Sequence, residues 1–74
     1  MIEVRHFPRW TVLINFEEIA QQYGINIVDL IRLLAEILNR EIKYFEHKPP
    51  KQRVVIRGFC SSEEINLRVN QLLN

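Results

Sequence analysis

Apolar or aromatic side chains stand at every second position of residues 41–45 and 53–57, and basic side chains lie among the residues between them. If both stretches are β-strands, successive side chains point to opposite faces of a sheet. The inward set is then Ile42, Tyr44, Val54 and Ile56, and the outward set is Lys43, Phe45, Arg53, Val55 and Arg57. Lys and Arg side chains bind phosphates, and an exposed phenyl ring can stack on a base. The outward set therefore predicts a nucleic-acid-binding surface.

Positive charge is concentrated in the same part of the chain. Residues 40–57 hold six basic side chains against two acidic ones, although the whole chain has a net charge of only +1. Lys48 and Lys51 flank Pro49-Pro50, so a stiff tip would carry two more cations and extend the surface like a finger. The alternative is a solvated sheet face, on which Lys and Arg keep the sheet edges from pairing with other chains.

Other polar side chains give little support for catalysis. The sequence has no Gly-rich phosphate loop and no Ser or Cys nucleophile with a convincing base. Its carboxylates Glu17, Glu18 and Glu36 are better explained as helix caps and solvated helix charges. We therefore expect a protein that is not an enzyme and that needs no cofactor.

Histidine and cysteine are too few for a typical structural zinc site. His6 and His47 fit ordinary exposed histidines in an arm and a loop. Cys60, the single cysteine, precedes a helix start that could acidify its thiol. Cys60 is better explained as a small apolar side chain facing Ile65 than as a reactive thiol. Because histidines and cysteines are so few, we expect no bound metal.

Residues 14–38 form the centre of the chain, because they carry two helices with similar start signals. Asn15 precedes the first helix and Glu18 follows three residues later, which predicts a capping box. Gly24 ends this helix, since glycine adopts the left-handed conformation without steric cost. Asn26 can then cap a second helix with a wide apolar face.

The predicted element order is strand, helix, helix, strand, strand, helix. The strands are residues 9–13, 41–45 and 53–57, and residues 46–52 are an unpaired tip because proline donates no amide. The last helix begins after Ser61, with Glu64 three residues on. This pattern predicts an α+β domain with helices on one face of a small antiparallel sheet. Residues 1–8 are a weak strand or an N-terminal arm, and residues 9–74 form one α/β domain.

Four short segments carry a family resemblance: residues 15–20 (NFEEIA), 33–37 (LLAEI), 53–58 (RVVIRG) and 65–69 (INLRV). Their order and spacing resemble the α/β domain of the beta subunit of translation initiation factor 2 and of initiation factor 5. The resemblance covers about residues 9–73 and implies this fold and a setting in translation. The two Cys pairs of the zinc ribbon that follows this domain in the family have no counterpart beside Cys60.

Together with the basic surface, the resemblance predicts a non-enzymatic component of the translation machinery that binds ribosomal or transfer RNA, either a ribosomal protein or an initiation-factor-like protein. No apolar run is long enough to span a bilayer and no signal peptide is evident, so a cytoplasmic protein is expected. The predicted RNA contacts are Lys43, Phe45, Lys48, Lys51, Arg53 and Arg57, with Arg5 and Arg9 as secondary contributors.

A helix-turn-helix DNA-binding protein is one alternative, because Gly24 lets the first two helices cross closely. Its recognition helix would expose Val28, Asp29, Arg32, Ala35 and Glu36. The acidic side chains Asp29 and Glu36 would meet phosphates, which is unfavourable.

A protein-interaction module within a ribonucleoprotein is the other alternative. Val28 and Leu33 on the second helix and Leu67 on the third lie off the predicted apolar stripes. If exposed together, they would form an apolar patch suited to a protein partner. Otherwise, the core extends further around the helices than the stripes indicate.

Overall fold

Three helices pack on one face of a four-stranded antiparallel sheet, in the chain order strand, strand, helix, helix, strand, strand, helix. The computed structural model describes residues 1–48 and 51–74, without the side chains of residues 47, 48, 51 and 52. The strands are β1 (Val4–His6), β2 (Trp10–Leu13), β3 (Ile42–Lys48) and β4 (Lys51–Arg57), and the helices are α1 (Phe16–Gln22), α2 (Ile27–Leu38) and α3 (Ser62–Leu73). The predicted α+β class is confirmed.

The N-terminal segment is a strand at one edge of the sheet and not a free arm. The strand order across the sheet is β1-β2-β4-β3. β1 pairs antiparallel with β2, so that Arg5 lies opposite Val12. Two backbone hydrogen bonds between Phe7 and Trp10 close the connecting turn. Ile2, just before β1, is buried in the core, which fixes the start of the chain to the domain.

The core lies between one face of the sheet and the helices. β2 contributes Thr11 and Leu13, and β4 contributes Val54 and Ile56, all at most 2% exposed. The inward orientation predicted for Val54 and Ile56 is thus confirmed. Packed with them are Phe16, Ala20, Leu30, Ile31, Leu34, Ile65 and Val69 of the helices and the partly buried Ile42 and Tyr44 of β3.

The β3–β4 hairpin is longer than predicted. The prediction that residues 46–52 form an unpaired tip is wrong, because β3 continues to Lys48 and β4 begins at Lys51, with Lys48 opposite Lys51. Within residues 46–52, only Pro49 and Pro50 lack an amide hydrogen, so the hydrogen-bonded ladder can extend to the residues on either side of them. A register shift between Glu46 and Lys48 accommodates this extension. The proposed Pro49-Pro50 tip lies outside the described residues.

The capping predictions for the second and third helices are confirmed. Asn26 Oδ1 accepts hydrogen bonds from the amides of Val28 and Asp29, at 2.8 and 3.4 Å. Ser61 Oγ accepts one from the amide of Glu64 at 3.1 Å. Each side chain satisfies donors that a helix start leaves without an intrahelical partner.

The capping box predicted for the first helix is wrong. Asn15 precedes α1, but its side chain makes no hydrogen bond to the helix. Its Oδ1 accepts from the amide of Glu3 at 2.8 Å, and its Nδ2 donates to the carbonyl of Met1 at 3.1 Å. Because β1 pairs with β2, residues 1–3 run beside Asn15, and their backbone groups form hydrogen bonds with its side-chain amide.

Across the described residues, no helix is long and apolar enough to cross a membrane.

Candidate nucleic-acid-binding site

The sheet face away from the helices carries the side chains predicted to bind nucleic acid. Lys43, Phe45, Arg53 and Arg57 are exposed there, and Val55 is half-buried between them. The strand register sets their neighbours, because directly opposite residues in an antiparallel pair share a face. Phe45 lies opposite Arg53, Lys43 lies opposite Val55, and Arg57 lies opposite Trp10 of β2. We call this surface the open face; its residues are Arg5, Trp10, Val12, Lys43, Phe45, Arg53, Val55 and Arg57.

A shallow groove of about 600 Å³ runs over the open face. Its lining combines three aromatic rings, two apolar side chains, two cations and one carboxylate. They are Phe7, Trp10, Phe45, Val12, Val55, Lys43, Arg53 and Glu46. Rings for stacking and cations for phosphate contact therefore meet in one depression of the surface.

Phe7 and Trp10 are groove residues that the sequence prediction missed. Because side chains alternate along a strand, Trp10 and Val12 lie on one side of β2 and Thr11 and Leu13 on the other. This alternation alone does not show which side is buried, since both sides are largely apolar. The missing signal is non-local: burial of Thr11 and Leu13 against the helices turns Trp10 towards solvent.

The secondary cations differ in position. Arg5 is exposed, and its register opposite Val12 places it on the open face at the edge formed by β1. Arg9 is exposed in the turn before β2, where its carbonyl accepts a hydrogen bond from the amide of Gly58 at 2.8 Å. Arg9 does not line the groove. The side chains of Lys48 and Lys51 lie outside the described part of the chain.

Glu41 reduces the positive charge available on the open face. Its carboxylate forms ion pairs with Lys43 Nζ and Arg57 Nη1, both at 3.4 Å. The hydrogen bond from Lys43 and the positive charges of Lys43 and Arg57 lower the pKa of Glu41 below its usual value. Arg53 makes no ion pair with any residue in the described ranges. Arg53 is thus the groove cation most available to an anion.

Cys60 and His6 have structural contacts. Cys60 is buried, and burial raises the pKa of its thiol, so the acidified thiol considered from the sequence is disfavoured. His6 Nε2 lies 2.8 Å from the carbonyl oxygen of Cys60, and the His6 ring stacks on Phe59 at 4.6 Å between centroids. His6 therefore joins β1 to the segment before α3. His47 has a side chain outside the described residues.

The apolar residues proposed to contact a protein partner are all exposed, but they occupy different surfaces. Leu67 lines a groove of about 370 Å³ with Met1, Ile19, Tyr23 and Leu73. Val28 and Leu33 do not line this groove. Five positions apart on α2, they lie about 140° apart around the helix axis.

The exposed side of α2 carries mixed charge. Val28, Asp29, Arg32 and Glu36 are exposed, and Ala35 is half-buried. Asn26 caps the helix in its first turn, close to Asp29. The one cation on this side thus lies among two carboxylates, whereas the open face carries a cluster of cations.

In the parts of the chain described, no three His, Cys, Asp or Glu side chains cluster closely enough to hold a metal ion. Neither a protein-family model nor a curated protein sequence matches the chain.

Proposed function

We propose that this protein is a non-enzymatic RNA-binding protein that contacts RNA through the open face of its sheet. The observation that carries the proposal is the shared groove, which is lined by the rings of Phe7, Trp10 and Phe45 together with Lys43 and Arg53. Cations supply phosphate contacts, and aromatic rings supply a surface for bases.

The exposure of the rings favours a binding role over a merely solvated sheet face. A single exposed apolar side chain is common and needs no explanation. Three aromatic rings around one depression group exposed apolar surface in one place, which favours an interaction site. The cations beside the rings make an anionic partner with planar groups the best match, and RNA has both properties.

A role in translation is the more specific part of the proposal. It is supported by the resemblance of residues 9–73 to the α/β domain of the initiation-factor 2 beta and initiation-factor 5 family. The RNA would then be ribosomal or transfer RNA, and the protein would act in the cytoplasm. Co-sedimentation of the protein with ribosomal particles on a salt-graded sucrose gradient tests this setting independently of the binding surface.

The binding surface is tested by reversing two of its charges. We expect Arg53→Glu combined with Arg57→Glu to weaken RNA binding by about tenfold or more. The slope of log affinity against log salt should fall by about 1.4, since each lost phosphate contact on a single strand contributes about 0.7. The measurement is fluorescence anisotropy with a labelled oligouridine at several salt concentrations.

Arg32→Glu on α2 is the matched control, because Arg32 is an exposed arginine on the helical side of the domain. This variant should bind RNA as the wild type does. Circular dichroism should show both variants folded. A folded double variant with unchanged affinity and unchanged salt slope would reject the open face as the RNA-binding site.

A further inference from the structure

Three partly exposed aromatic rings line the groove on the open face. Phe7, Trp10 and Phe45 are 52%, 41% and 49% exposed, although each also contributes to the wall of the groove. About half of each ring thus stays accessible to a ligand, and every base offers a π-face on which an exposed ring can stack.

Two of these rings each have an arginine as direct cross-strand neighbour. Phe45 lies opposite Arg53 in the β3–β4 pair, and Trp10 lies opposite Arg57 in the β2–β4 pair. Directly opposite residues have Cβ atoms about 4.5–5.5 Å apart. Each ring–arginine pair thus offers adjacent sites for a base and for a phosphate.

The two pairs are separated by more than one nucleotide. Arg53 and Arg57 are four residues apart on β4, which is about 13 Å along the strand. Phe45 and Trp10 lie on the strands that flank β4, two strand spacings or about 10 Å apart across the sheet. Stacked nucleotides in one strand advance by about 3.4 Å. A mononucleotide could occupy one pair, whereas an oligonucleotide can occupy both.

We infer that the open face selects single-stranded RNA, with unpaired bases stacked on Trp10 and Phe45 and phosphates bound by the neighbouring Arg57 and Arg53. A duplex hides the faces of its bases within its own stack, so it could meet the arginines but not the rings. This inference rests on the proposed function and names the class of RNA that the site takes.

Trp10 is the only tryptophan in the chain and therefore reports on its own contact. Single-stranded oligouridine and oligoadenosine should quench Trp10 fluorescence, and the duplex formed by annealing the two should quench it little and bind at least about tenfold more weakly. Trp10→Ala and Phe45→Ala should each weaken single-strand binding roughly 5- to 150-fold, the range for loss of one base–aromatic stack. Anisotropy with labelled RNA gives the affinities, and the Phe45 variant retains the Trp10 reporter.

Tyr23→Ala is the control, because Tyr23 is a half-exposed aromatic residue at the end of α1 that does not line the groove on the open face. It should leave binding unchanged. Equal affinity for single strand and duplex, with no effect of either ring substitution on the folded protein, would overturn the inference. If the Arg53→Glu, Arg57→Glu double variant still bound single strand and duplex more weakly than the wild type, the proposed function would stand without this inference. Binding of neither RNA would overturn both.

Discussion

Glu41 lies between two cations of the open face and competes with any anionic ligand for them. Its two ion pairs are exposed, so they contribute little to stability and can exchange for other partners. RNA phosphates that bind Lys43 and Arg57 must first displace this carboxylate. Glu41 thus opposes anion binding through its ion pair with the groove residue Lys43, although Glu41 does not line the groove.

Removing this competition should strengthen RNA binding. We expect Glu41→Gln to raise the affinity for single-stranded RNA and to steepen the salt dependence by up to about 1.4 in log–log slope, because two cations become available. Anisotropy titrations at several salt concentrations measure both effects. Glu36→Gln removes an exposed carboxylate from α2 and should change neither. An unchanged affinity for Glu41→Gln would show that Lys43 and Arg57 do not contact the RNA.

The same substitution alters the acid side of the stability profile. Because the pKa of Glu41 is lowered in the folded protein, its ion pairs stabilise the fold above the usual carboxyl pKa and are lost as the pH falls through the lowered value. Because exposed ion pairs contribute little, denaturant titrations should show a small loss of stability over this pH range in the wild type that Glu41→Gln lacks.

Among the elements, β2 and the segment between β4 and α3 are joined by one buried hydroxyl. Thr11 Oγ1 donates to the carbonyl of Gly58 at 2.9 Å and accepts from the amide of Cys60 at 3.0 Å. Gly58, with φ +83°, turns the chain out of the sheet between these two contacts. Thr11 therefore fixes the direction in which the chain leaves β4, and with it the position of α3.

Thr11→Val keeps the shape of the side chain but removes both hydrogen bonds. We expect it to lower the free energy of unfolding by about 1–3 kcal/mol, because the Cys60 amide is left buried without a partner. Thr11→Ser retains the hydroxyl and loses one methyl group, about 0.8 kcal/mol. Urea denaturation followed by circular dichroism measures both. A valine variant as stable as the wild type would show that this junction does not depend on the hydroxyl.

The elements that could be predicted from sequence are those that local chemistry determines. Asn26 and Ser61 cap their helices as expected, because each bonds to amides two or three residues away. Asn15 has a similar local pattern but bonds to Met1 and Glu3. Its choice depends on strand pairing between distant segments, which no window of sequence contains.

At the scale of the whole molecule, the two sides of the domain differ in charge. The helical side exposes the acidic residues Glu18, Asp29, Glu36 and Glu63 and the cation Arg32, whereas the open face carries Arg5, Lys43, Arg53 and Arg57 beside the carboxylates Glu41 and Glu46. This separation orients the protein relative to a polyanion, since the helical side is repelled and the sheet side is attracted. RNA should therefore meet the open face first.

Only the part of the groove formed by the β3–β4 hairpin could be predicted from sequence, because the rest depends on how distant strands pair. Alternation within the hairpin was enough to place Lys43, Phe45 and Arg53 together, because both strands are neighbours in sequence. Trp10 lines the same groove only because β2 pairs with β4, although α1, α2 and β3 separate these two strands in the sequence. Its contribution requires the assembled sheet.

Mapping where single-stranded RNA changes the amide spectrum of the ¹⁵N-labelled protein tests the open face as the RNA-binding site most directly. We predict that chemical-shift changes during the titration cluster at Val12, Lys43, Phe45, Arg53 and Val55. Amides of the exposed side of α2, such as those of Arg32 and Glu36, should remain unshifted. Changes centred on α2, with the sheet amides unaffected, would contradict the account and favour a recognition helix instead.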